Sequence, residues 1–241
     1  MNIVNIMIIL FILMCIITGF KRGIIRESIN VVGNFLIIII SFMLMGNVGN
    51  FLCQHLPFIT TGLLGISLSS LNILLYQIIA FALIFSILSF VFKLILTLTK
   101  IVDKLINSLL IFHTTSSILG GIVGFFGGYI TVFVILLVVS VPLANNSTLH
   151  NSIGNTIILK KTPILTGLTA PISNATNDIY NVTVKIAQDP NKLQNSNQYN
   201  LEILDIMLKY NVVSIDEIDT LISQNKLNDI KNVNNILQKY R

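Results

Sequence analysis

Residues Gly19-Phe20-Lys21-Arg22-Gly23-Ile24-Ile25-Arg26-Glu27 form a small basic knot between two long apolar runs. No charged residue precedes the knot, and none follows it until Lys93. An ionised side chain at the centre of a bilayer costs about 2.5–3.5 kcal/mol or more, so a knot of this kind belongs at a membrane surface. The runs on either side are then free to cross lipid.

Composition agrees. Only 10% of the 241 residues are charged, 54% are hydrophobic, and the mean hydropathy is +0.83. Soluble domains carry about 25% charged residues, so this chain falls in the membrane class. The formal net charge of +5 comes from scattered lysines and arginines with no basic stripe, which argues against a nucleic-acid partner.

Residues 2–20 are long enough to span the hydrocarbon layer as a helix. A cleaved signal peptide is the competing reading, but it needs its positive charges before the apolar core. Here they come after it. We expect an uncleaved helix with its N-terminus outside and the knot in the cytoplasm, against anionic headgroups. Residues 28–46 form a second span, opened by Arg26 and Glu27, whose carboxylate suits a helix N-terminus. Residues 47–70 carry no formal charge, as expected of an outer loop. A third span covers 71–92 and meets Lys93, whose ammonium is expected to snorkel to the inner surface. Ile101, Leu105, Leu109 and Phe112 then recur at helical spacing with Lys100, Asp103 and Lys104 between them. This pattern fits an amphipathic helix at 98–112 lying on the inner leaflet, or a continuation of the third span.

The fourth span, 117–141, carries Gly120, Gly124 and Gly128. Glycines four apart stack on one helix face and let another backbone approach closely. The contact is expected either within one chain or between copies in a homo-oligomer. From Pro142 the composition turns to Asn, Ser, Thr and Pro, and 146–172 reads as a linker. Four spans from an outside N-terminus put everything beyond it outside. The tail, 173–241, shows helical periodicity. Asp189-Pro190 reads as a helix stop, Leu201, Leu204 and Leu208 as one helix face, and Ser214-Ile215-Asp216-Glu217 as a capping box. The expected fold is therefore all-α: a polytopic membrane module, 1–145, with four transmembrane helices and a small extracytoplasmic helical tail. The tail is a candidate surface for an extracytoplasmic protein partner.

A search for chemistry returns no catalytic, cofactor-binding or metal-ligating set. His55, His113 and His150 stand far apart, and Cys15 and Cys53 have no metal-ligand spacing. Asn34, Ser41, Asn72, Gln77, Ser86 and Ser89 are polar groups inside apolar runs, suited to hydrogen bonds between helices or to lining a pore.

The knot also resembles the opening signature of the CvpA (colicin V production protein) family: an apolar helix, a Gly-x-x-Arg-Gly-Phe/Ile-x-Arg-Glu element, and a second helix with an early glycine. Gly19, Arg22, Gly23, Arg26, Glu27 and Gly33 hold those positions. Leu119-Gly120 with Gly124 and Gly128 is similar to the family's fourth span. The resemblance covers about residues 1–145. The family usually has an acidic residue near the start of its first helix, where this chain has Asn5. The resemblance implies a bacterial inner-membrane protein of four spans, tied to production or export of a peptide toxin and to envelope integrity. It implies no enzymatic activity. An oligomeric channel or small-solute transporter is the alternative expectation.

Overall fold

The computed structural model describes residues 2–58, 66–99, 113–140, 146–159, 161–162 and 165–241. Among them the regular structure is entirely helical. Helix α1 runs Ile3–His55, α2 Ser69–Thr99 and α3 His113–Ser140. A short α4, Ser147–His150, and a π-helical turn, Gly154–Leu159, follow. Four more helices complete the chain: α5 Leu165–Gln188, α6 Ser196–Lys209, α7 Ile215–Ser223 and α8 Val233–Tyr240.

Three helices are long and apolar enough to cross a membrane: Ile3–His55, Ser69–Leu98 and Ser116–Ser140. Their surfaces explain why. Met7, Met14, Val32, Leu36, Phe90 and Phe126 are all more than half exposed. Apolar patches on soluble monomers rarely exceed a few hundred Å², so a belt of this kind needs lipid as its solvent. Where four spans are expected from the charge pattern, the first two lie on the single helix α1. Its 53 residues would reach about 80 Å if straight, far more than a bilayer needs. It is not straight. Gly23 adopts φ 77°, ψ 166°, a conformation essentially reserved for glycine, and divides α1 into a first arm before it and a second arm after it. The amphipathic helix expected at 98–112 lies almost wholly outside the described residues; α2 itself continues through Thr99.

The chain forms two compact units. One comprises 1–41, 83–137 and 147–162; the other comprises 42–82, 138–146 and 163–241. In the first unit, α3 lies antiparallel to the first arm of α1. The π-helical turn closes against the same pair: the side chains of Ile8 and Leu136 crowd Gly154, and Asn5 accepts a hydrogen bond from the Ile153 N–H at 2.9 Å.

The second unit joins the end of α1 and the start of α2 to α5–α8. Nearly every side chain from Ser69 to Phe81 is buried there. Polar groups hold the contact. The Ser70 N–H and hydroxyl both donate to the Asn200 side-chain oxygen, at 3.1 and 2.9 Å. Asn200 in turn donates to the Ser67 carbonyl, and the Gln77 amide donates to the Val212 carbonyl at 3.2 Å. The Lys226 ammonium donates to the Leu56 carbonyl, and Asn50 bonds Glu217.

The stretch 146–172, expected as a linker, holds α4, the π-helical turn and the first turns of α5. Helix α5 starts at Leu165 because Leu165, Thr169, Ile172, Ala175, Ile179 and Ile186 are buried at helical spacing, and this face outweighs the hydrogen bond that Pro171 cannot make. It stops at Gln188, before Asp189-Pro190. The Ser214–Glu217 capping box forms in both directions.

Candidate functional site

The glycines of α3 and the knot of α1 meet in the first unit. Along the first arm, Cys15, Gly19 and Gly23 recur every four residues; along α3, Gly120, Gly124 and Gly128 do the same. The two rows face each other in antiparallel register. A Cβ on Gly124 would lie 2.5 Å from the Cys15 carbonyl oxygen and 3.2 Å from the Gly19 Cα. One on Gly120 would meet the backbone of both Gly19 and Gly23, and one on Gly128 would lie 2.8 Å from the Cys15 Cβ. With no hydrophobic force between helices in lipid, this backbone contact supplies dispersion energy that larger residues would forbid.

The second arm of α1 folds back onto the same helix. A Cβ on Gly127 would lie 2.7 Å from a Val31 methyl, beside Glu27. Residues 127–128 of α3 therefore touch the first arm on one side and the second arm on the other. The turn between the arms is Gly23, where the Ile24 N–H would otherwise lack a partner; it donates to the Ser116 hydroxyl at 3.3 Å. The knot is thus the bend of a helical hairpin, pinned to the start of α3.

Its charges line a cleft of about 830 Å³ formed by the two arms, α2 and α3. Arg22, Arg26, Glu27 and Lys93 contribute the ionic groups. Arg22 and Glu27 pair at 3.5 Å, with the Glu27 residue only 8% exposed. Asn30 and Asn34 add amides, and Phe11, Met14, Phe92 and Leu96 add an apolar wall. Among the described residues no group of three His, Cys, Asp or Glu side chains is placed to hold a metal.

The structure thus brings the expected residues together. Gly19, Gly23, Gly120, Gly124 and Gly128 share one seam, and Arg22, Arg26 and Glu27 share the cleft beside it. Sequence reasoning missed Cys15 and Lys93. The spacing of Cys15, four before Gly19 and eight before Gly23, is the signal that could have found the first. Lys93 offered no local signal, because its neighbours in the cleft lie some sixty residues away. Of the polar groups inside the apolar runs, Asn34 lines the cleft, Ser41 donates to the Ile37 carbonyl of its own helix, and Gln77 bonds Val212.

A family model described as Colicin V production protein matches residues 4–163. No curated protein and no solved structure matches the chain.

Proposed function

Because this chain belongs to the colicin V production protein family, we propose that it is a non-enzymatic integral protein of the bacterial cytoplasmic membrane that assists toxin export and envelope maintenance. The family match is the observation that carries this reading, and the seam supports it: the conserved function of such a module would rest on holding a rigid hairpin in lipid. The arms of α1 count as separate crossings, which with α2 and α3 makes four. Arg22 and Arg26 keep the bend at the inner surface, and both chain ends lie outside the cytoplasm. Residues 173–241 then face an extracytoplasmic protein partner.

Two measurements test this. Protease added to intact cells should remove the tail; a tail cleaved only in opened cells would invert the orientation. Deleting the gene should raise detergent sensitivity or reduce release of a peptide toxin, and the wild-type chain should restore both. The variant Arg22→Glu/Arg26→Glu should not. Unchanged envelope and secretion in the deletion strain would overturn the role.

A channel or small-solute transporter is the second reading, favoured by the polar cleft within apolar helices. Selective flux through the purified chain in liposomes would support it, and tight vesicles would exclude it.

A further inference from the structure

The cleft has the composition of a site for one anionic amphiphile. It presents three cationic side chains, Arg22, Arg26 and Lys93, and one carboxylate, Glu27. Glu27 is already engaged by Arg22. A surplus of positive charge beside lipid is costly until an anion neutralises it. The available donors suit phosphate: two guanidinium forks, one ammonium, and the Asn30 and Asn34 amides. The threonine hydroxyls are differently disposed. Thr18, Thr97 and Thr131 donate to the carbonyls of Met14, Lys93 and Gly127 in their own helices. Their oxygens can accept a hydrogen bond but have no second proton to give. That leaves the cations and amides to hold the anion.

The other wall is apolar. Phe11 and Met14 line the cleft and are 36% and 67% exposed, so the wall runs on into the lipid-facing surface of the first arm. The volume of about 830 Å³ is much larger than a bare phosphate and lies in the range of sites that enclose small organic ligands. An occupant with a charged head and an apolar tail satisfies both walls; a soluble anion satisfies one.

We propose that this cleft seats a single anionic glycerophospholipid, its phosphate on Arg22, Arg26 and Lys93 and its acyl chain along Phe11 and Met14. This rests on the reading above that these helices lie in a membrane, but it names a specific bound molecule where that reading needs only a charged surface.

The test is native mass spectrometry of the full chain in detergent micelles, after exposure to equal amounts of phosphatidylglycerol and phosphatidylcholine. The expected result is one retained phosphatidylglycerol, preferred by about tenfold or more, the scale of a lost hydrogen bond to a charged group. Lys93→Gln and Arg26→Gln should each abolish most of the preference, and Lys93→Arg should restore it. Lys21→Gln removes a charge from the same bend, outside the cleft lining, and should leave the preference in place. Equal retention of the two lipids overturns the proposal, as does an equal loss in Lys21→Gln and Lys93→Gln, which marks diffuse surface attraction. Displacement of the lipid by millimolar glycerol phosphate or inorganic phosphate would identify a soluble anion as the occupant and also overturn it. Secretion and envelope phenotypes are separate readouts: a chain that binds no lipid selectively can still support them, and a selective chain can fail to.

Discussion

Gly19 and Gly120 meet backbone to backbone: a methyl group on either would run into the carbonyl oxygen of the other. Neither side can yield by turning a side chain. Gly120→Leu and Gly19→Leu should therefore destabilise the first unit by at least the 1–3 kcal/mol typical of overpacking, and lower its melting temperature in detergent. Gly46 has nothing within 4 Å of where a Cβ would stand, so Gly46→Ala should be neutral or slightly stabilising. Equal melting of the Gly120 and Gly46 variants would remove the seam as a source of stability.

Gly23 is constrained in another way. At φ 77°, ψ 166° any residue with a Cβ is strained by about 1–3 kcal/mol, and the new Cβ would also stand 2.9 Å from the Ser116 hydroxyl oxygen. Gly23→Ala should favour a straighter α1 and a looser hairpin. Spin labels on the two arms, measured by pulsed electron resonance, should report a broader distance distribution than in the parent chain.

In the tail, α6 and α7 end on asparagines in the left-handed conformation, Asn211 at φ 54° and Asn225 at φ 60°. Each end is a Schellman motif. The Val212 N–H reaches the Met207 carbonyl and the Asn211 N–H the Leu208 carbonyl; Lys226 and Asn225 do the same with Leu221 and Ile222. Asn211→Gly should be tolerated, while Asn211→Val should cost about 1–2 kcal/mol because a β-branched side chain resists that conformation. Chemical unfolding of the tail, followed by tyrosine fluorescence, distinguishes the two.

Asp189 gives the tail a pH dependence. The Asn195 amide, the Tyr199 hydroxyl and the Asn191 N–H donate to its carboxylate and hold it below the usual carboxylate range. Its contribution to stability is full above the ordinary value of 3.8 and fades as the pH falls through the lower folded value. Tyr199 behaves oppositely. Its hydrogen bond to Asp189 pushes the phenol above 10.0, so its contribution holds below that value and fades as the pH rises through the raised one. Amide exchange across residues 189–199 should speed up at both extremes. Asp189→Asn should remove the acid limb and leave exchange near neutrality faster than in the parent chain.

The class of the molecule was legible because charge is so scarce that its few positions mark the ends of apolar runs. The glycines of α3 were legible because their spacing has a single physical use. Their partner was not: Cys15 is small enough to join the row but does not stand out beside glycine. The bend at Gly23 was visible as a knot of charge, not as a hairpin, since nothing local tells a Lys-Arg-Gly turn from a loop. In the tail, Ser214 and Glu217 announce a helix start through complementary side chains. Asn211 and Asn225, by contrast, disappear into a chain rich in asparagine, and Leu165–Ile172 looked like a linker because Pro171 and Gly167 mask a buried face.

Gln77 makes residues 163–241 inseparable from the helix they cover. Its amide reaches the Val212 carbonyl, and Ser70 gives both its N–H and its hydroxyl to Asn200. A chain cut before Pro163 would strand these groups among apolar neighbours, at about 1–3 kcal/mol for each one left unanswered. Loss of activity on truncation would then report collapse of the first turns of α2 as readily as loss of a binding surface. Substitutions confined to the exposed side of α5–α8, with Val212 and Asn200 kept, are the cleaner way to learn what that surface touches.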